Sequence, residues 1–170
     1  YKRQELAGAK AYDKQTPHER AVPMWGGIGP SGFGLVMFHE GKKVDNAEWS
    51  QAVSQGKLVL ALRDACAPRK YGPWTVLCDN ESFLKAPKSR KAHQRARVEM
   101  WHIPPRSPDL NPVERFWAWV RKRLRAMDLK DLQQRRAPVG KTALKARVQK
   151  VLKSQKAKTV ARNYFNSFRG

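Results

Sequence analysis

Between Ala21 and Val44 apolar positions alternate loosely with small and polar ones, and Gly29-Pro30-Ser31-Gly32 divides the run. This pattern predicts a β-hairpin over 22–40, with Gly34–His39 in its second strand. The period then changes. Asp45-Asn46-Ala47-Glu48 forms a capping box, with Asp45 able to bond the Glu48 amide, and a helix is expected after it. That helix directs Trp49, Ala52 and Val53, and later Leu58, Leu60 and Leu62, toward a core, and Gly56 weakens or bends it. Trp74–Cys78 is short, apolar and bounded by turn residues, as a buried parallel strand would be. Residues 88–97 read as a basic helix, and Val98–Ile103 as a second short strand stopped by Pro104-Pro105-Arg106-Ser107-Pro108. Helix resumes after Asn111, where Val113, Phe116, Trp117, Val120 and Leu124 make one apolar stripe. Two basic amphipathic helices close the chain, one lined by Leu144, Val148, Val151 and Leu152, the other by Val160, Tyr164, Phe165 and Phe168. The first twenty residues have no clean period and read as a loop or arm. Strands alternating with helices make this a mixed α/β layered domain.

Charge changes the picture more than composition does. A hydrophobic fraction of 41% with six Trp argues for a folded body, yet the chain carries a formal +21. So large a surplus repels itself on folding and calls for a polyanionic partner, nucleic acid first, since its phosphates carry dense charge. A ribosome-associated role and an anionic membrane surface are the alternatives, and no amphipathic anchor or long apolar run supports the membrane. Cys66 and Cys78 form no metal pattern and read as two lone buried thiols in a reducing compartment. The N-terminus is polar, carries no secretory signal and begins without Met, which suggests a fragment boundary.

Two acids stand out. Asp79 follows an apolar strand, at the sheet edge where catalytic groups gather in open α/β sheets; the plainer reading is a turn residue, since Asp-Asn commonly ends a strand. Glu114 fits a capping pattern: Asn111 as N-cap, Pro112 at the first helical position, Glu114 reaching back to the cap amide. It is also off the apolar stripe and shares its face with Ala118, Arg121 and Arg125. A carboxylate beside such a basic face can hold a metal while the arginines take a phosphodiester backbone. Residues 80–113 separate the two acids, 34 positions holding a basic helix and one strand, enough to return Glu114 to the edge where Asp79 lies. A hard cation such as Mg²⁺ takes carboxylate oxygens and keeps waters for substrate phosphate. Two such ions activate the attacking oxygen and stabilise the leaving one.

The strings Val76-Leu77-Cys78-Asp79-Asn80 and Ser107-Pro108-Asp109-Leu110-Asn111-Pro112-Val113-Glu114-Arg115-Phe116-Trp117, with the Met24-Trp25-Gly26-Gly27-Ile28 strand, resemble the mariner-like DDE transposases. The 34-residue gap is the one used by the Asp-Asp-Glu branch of that superfamily. The resemblance covers roughly 22–126; the SPDLNPxE string is specific, whereas WGG alone is weak. It implies an RNase H-like mixed sheet flanked by helices, five-stranded with its acids at one edge. It also implies Mg²⁺-dependent cleavage at transposon ends with two ions (Mn²⁺ as a substitute), and joining of the freed 3′-hydroxyl to target DNA. Asp79 becomes the second catalytic, metal-binding acid and Glu114 the third. Asn80 matches the family's Asp-Asn pair, and Asp109, Asn111 and Pro112 its loop, as shaping and capping residues. Double-stranded DNA is the implied partner, with a homodimer on paired ends and neither a membrane nor a small-molecule substrate. The location is the nucleus in a eukaryote, otherwise the cytoplasm or nucleoid.

Two departures accompany the match. Relatives often carry a His shortly after Asp-Asn, where this chain has Glu81-Ser82-Phe83-Leu84. Relatives also carry a first Asp on a strand ahead of the WGG strand, and nothing in Tyr1–Ala21 fits; Asp13 lies in the polar stretch AYDKQT. The expectation is therefore an arm or truncated boundary at 1–21 and a partial catalytic domain at 22–126. That domain lacks the first, central strand, and its hairpin is poorly joined or unpaired to Trp74–Cys78. A basic helical extension follows at 127–170. The family's N-terminal helix-turn-helix module is likewise not in the chain. An inactive or domesticated relic that only binds nucleic acid is the rival reading; a basic RNA-associated protein is a weaker one. Lys88, Arg90, Lys91, Arg95 and Arg97, with Arg121, Lys122 and Arg125, are candidates for phosphate contact, against the plainer reading of a solvated face. His93 and His102 read as structural or solvent-facing, the tryptophans as packing. The tail helices could either pack on the body or grip DNA.

Overall fold

The computed structural model describes residues 22–41 and 43–168. Strands β1 (Met24–Gly29) and β2 (Gly32–Phe38) pair antiparallel around the Pro30-Ser31 turn. Their register slips between Trp25 and Gly26: Trp25 opposes Met37 and Gly26 opposes Leu35, which leaves Val36 as the extra residue of a bulge. The bulge resets the alternation. Val36 and Met37 both enter one core, while Phe33, Leu35 and Phe38 face another.

Helices α1 (Asn46–Ser54) and α2 (Lys57–Ala65) follow. Asp45 caps α1 as expected, its Oδ1 accepting from the Glu48 amide at 2.8 Å. Gly56 breaks the helix outright instead of bending it, because it adopts a left-handed φ of 78° that costs glycine nothing. The break corrects one expectation: Leu58 is buried, but Leu60 is 57% exposed. The restarted helix turns Leu58, Ala61, Leu62 and Ala65 inward, and Leu60 falls on the opposite side. Ala61 then lies so close to the hairpin that a Cβ added at Gly34 would come within 2.0 Å of its carbonyl oxygen.

Strand β3 (Trp74–Cys78) lies parallel to β4 (Val98–His102), with the short α3 (Ser82–Lys85) and the basic α4 (Pro87–Arg95) between them. Among the described residues the strands form two separate pairs, β1–β2 and β3–β4, where the resemblance called for one mixed sheet. The hairpin is thus unpaired to Trp74–Cys78; residues 1–21, on which a further strand would depend, lie outside the description. A 3₁₀ turn (Pro108–Leu110) leads into the long α5 (Pro112–Gln133), then α6 (Lys141–Leu152) and α7 (Gln155–Phe168).

Two cores result. The first gathers Trp49, Leu58, Trp74, Leu84 and Val98 under the β3–β4 pair. The second gathers Phe116, Val120, Val148, Ala157 and Ala161 from the three C-terminal helices. The tail therefore packs on the body. Arg147 donates to Asp128 at 3.1 Å and to Asp131, tying α6 to α5, and Lys145 pairs with Glu40 at 2.9 Å. Helix α5 runs through residue 126, and Phe116 and Val120 of its first half share the second core with the tail. No helix among the described residues is long and apolar enough to cross a membrane.

Candidate active site

Asp79 follows the last residue of β3. Its backbone is fixed from β4: His102 Nδ1 lies 3.1 Å from the Asp79 carbonyl, a distance at which the imidazole N–H donates to it. The Ile103 amide donates to the Cys78 carbonyl at 3.0 Å. Asn80 carries the same seam further, donating from Nδ2 to the Ile103 carbonyl while its Oδ1 accepts from Lys85 Nζ. The parallel ladder thus ends in side-chain bonds that hold the Asp-Asn pair in place.

Glu114 lies in the first turn of α5, where open backbone N–H groups favour a negative charge. The expected reciprocal capping box does not form. Asn111 Oδ1 accepts from the Val113 amide at 3.3 Å, and the Asn111 carbonyl accepts from the Glu114 amide at 3.0 Å. Proline at the first helical position starts the helix without losing a bond. The Glu114 carboxylate, freed from capping, makes no hydrogen bond among the described residues. Asp79 and Glu114 line one cleft of about 480 Å³. Its walls include β1 (Met24–Ile28) on one side and Thr75–Cys78 of β3 on the other. Each of these strands is paired on one side only among the described residues.

Sequence reasoning missed two contacts here. Asn111 Nδ2 donates to Asp79 Oδ1 at 2.9 Å, joining the loop asparagine to the strand acid. Glu81, which also lines the cleft, accepts from Trp25 Nε1 at 3.1 Å and so links the hairpin to the end of β3. Desolvation raises the Glu81 carboxyl above its ordinary range; the Trp25 hydrogen bond opposes this and the Asp79 charge adds to it. A second carboxylate two residues after Asp79 was the available signal. Nearby, the Cys78 thiol is pushed up to about 11, first by burial and then by Asp79 and Glu81, with Lys85 opposing. Cys78 is buried as expected, but Cys66 is only partly so.

The other predicted residues are placed as follows. Lys88, Arg90, Lys91 and Arg95 of α4, Arg97 beyond it, and Arg121, Lys122 and Arg125 of α5 are all exposed. Asp109 is exposed within the 3₁₀ turn. His93 is buried and accepts from Trp49 Nε1 at 2.8 Å, a structural role.

The donor set fits a hard divalent cation in kind. Two carboxylates with free oxygens can hold Mg²⁺ when water and phosphate oxygens complete its shell. Among the described residues no group of three His, Cys, Asp or Glu side chains comes together to hold a metal.

A family model described as DDE superfamily endonuclease matches residues 2–135. Among solved structures, the crystal structure of the catalytic domain of Mos1 mariner transposase is similar at a TM-score of 0.45 and 15% identity, covering 94% of this chain and 80% of that chain. Comparison with curated proteins gives no match. The family model spans most of the chain, including Asp79, Glu114 and the cleft they share: the protein belongs to the DDE superfamily endonuclease family.

Proposed function

We propose that the chain is the catalytic part of a mariner-like DNA transposase of RNase H-like fold, with Asp79 and Glu114 as two of its metal-holding acids. The observation that carries this reading is their convergence: acids 35 positions apart in sequence line one cleft. The endonuclease family supports the reaction class, and the +21 charge supports a DNA substrate.

Asp79 Oδ2 and both Glu114 oxygens would hold Mg²⁺. When bound, the metal supplies charge stabilisation for the attacking and leaving oxygens of phosphoryl transfer. The chain's own work is positional. Strand β3 and the start of α5 fix the two carboxylates, and the α5 N-terminus adds a favourable field for phosphate. Arg121, Lys122 and Arg125 on α5, with Lys88, Arg90, Lys91, Arg95 and Arg97 on and beside α4, neutralise the DNA backbone and set its register without reading sequence. The first acid of the family pattern, on a strand ahead of the WGG strand, has no match in Tyr1–Ala21. A strand between β1 and β3, which both border the cleft and are each paired on one side only among the described residues, would join the two pairs into a single sheet. Work on paired transposon ends makes a homodimer, and the nucleus of a eukaryotic host, part of the same reading.

The test uses the complete native gene product, read from its start codon. It assays Mg²⁺-dependent nicking of DNA carrying the element's own ends, beside Asp79→Asn and Glu114→Gln. Loss of at least a hundredfold in both variants is expected, with DNA binding retained. Nicking that survives both substitutions would sink the assignment. A folded, DNA-binding parent with no nicking would make the protein a relic that only binds nucleic acid.

A further inference from the structure

Asn111 is one of few polar side chains buried among the described residues, at 6% exposure, and both ends of its amide are engaged. Oδ1 accepts from the Val113 amide and caps α5, while Nδ2 donates to Asp79 Oδ1 at 2.9 Å. Its backbone carbonyl accepts from the Glu114 amide at 3.0 Å. One residue is therefore bonded to the strand-borne acid through its side chain and to the helix-borne acid through its main chain. A cap alone needs only an acceptor, which Ser, Thr or Asp supplies as well. Among the good caps only Asn adds an N–H₂ donor beside its acceptor. The other acid-side bonds, from His102 and through Asn80, hold backbone; among the described residues only Asn111 hydrogen-bonds the Asp79 carboxylate.

We propose that Asn111 is a positioning residue that fixes the Asp79 carboxylate relative to Glu114. By occupying Asp79 Oδ1 it restrains rotation of the carboxylate about the Cβ–Cγ bond and leaves Oδ2 for a ligand. This rests on the reading of Asp79 and Glu114 as the metal-holding pair. Groups that orient a metal ligand in this way change metal affinity about 10- to 100-fold when removed.

Asn111→Ser keeps the cap and removes the donor; Asn111→Asp keeps the cap and sets a second carboxylate against Asp79. In the complete gene product Asn111→Ser should melt near the parent temperature and bind end DNA with unchanged affinity, whereas Asn111→Asp should melt lower because two carboxylates then face each other. Mn²⁺ binding without DNA, followed by calorimetry, should weaken roughly tenfold in Asn111→Ser, and kcat should fall roughly 10- to 100-fold at constant KM. A folded Asn111→Ser with parental Mn²⁺ affinity and kcat reduces Asn111 to a cap and overturns the proposal, as does an Asn111→Ser that no longer folds. Asp79→Asn and Glu114→Gln run in parallel. If they leave Mn²⁺ binding and cleavage intact, or if the parent shows neither, the pair itself is wrong and the proposal falls with it. If they abolish both while Asn111→Ser does not, only the positioning role fails.

Discussion

The two cores are built by different rules, and each presents one acid. The first, beneath β3 and β4, is mixed: Trp49 is fully buried but donates its indole N–H to a buried His93, and Ser50 and Ser89 meet beside them at 3.4 Å. The second, among α5, α6 and α7, is apolar throughout. Phe116 is fully buried and stacks on Phe33 at 4.9 Å and on Trp119 at 5.9 Å. Asp79 emerges from the first and Glu114 from the second, so the geometry of the pair depends on how the two bodies are joined. The bulged hairpin does much of that joining, with Val36 and Met37 in one core and Phe33, Leu35 and Phe38 at the other. A mixed core depends on its polar groups keeping their protonation states; an apolar one depends on volume alone.

The largest effect should come from removing volume in the apolar core. Phe116→Ala deletes a ring with no exposed surface and should cost about 3–5 kcal/mol, measured by urea unfolding. The loss should be the same at pH 8 and pH 5, since the rings against it are those of Phe33, Trp117 and Trp119. A loss that grows on acidification would show that the two cores are not chemically distinct.

The mixed core should show the opposite behaviour. Burial first, and then the neighbouring His102, push the His93 imidazole down from an ordinary 6.5 to about 4. Between those values the unfolded chain binds a proton that the fold refuses. Stability should therefore be fully present above pH 6.5 and lost as pH falls toward 4, by up to roughly 3 kcal/mol. His93→Gln can still accept from Trp49 and should flatten that part of the profile at a modest cost near pH 7. An unchanged slope in His93→Gln would place the acid sensitivity elsewhere.

This contrast also explains what could be read from the sequence. The hairpin turn, the two parallel strands, the Asp45 and Asn111 caps and the apolar stripe of α5 are local patterns, fixed by residues a few positions apart. Asp79 and Glu114 were legible because each lies in a distinctive local string. The bonds around them were not, since Asn111 reaches Asp79 across 32 positions and Trp25 reaches Glu81 across 56. No periodicity records such pairings. Leu60 was misplaced for a related reason: three leucines at alternate positions suit no single helix face, and the break at Gly56 decided which of them turned in. The two separate strand pairs among the described residues were anticipated only through a family pattern, whose first strand has no match in the sequence of Tyr1–Ala21.

The smallest effect compares the two helix caps. Asp45 caps α1 in the mixed core with one bond, to the Glu48 amide, and its carboxylate makes no other hydrogen bond among the described residues. Asp45→Ala should therefore cost about 1 kcal/mol, with faster hydrogen exchange confined to the first turn of α1. Asp45→Asn and Asp45→Ser should be nearly neutral, because all three side chains offer the one acceptor the cap uses. Asn111 faces a stricter demand, since its second bond goes to an acid in the cleft. If Asp45→Ser lowered Mn²⁺ affinity and kcat as Asn111→Ser is expected to, the sensitivity at Asn111 would be a property of caps in this fold. If Asp45→Ser leaves Mn²⁺ affinity and kcat at the parent values while Asn111→Ser lowers both, the difference isolates the bond to Asp79, because Ser keeps the cap at both positions.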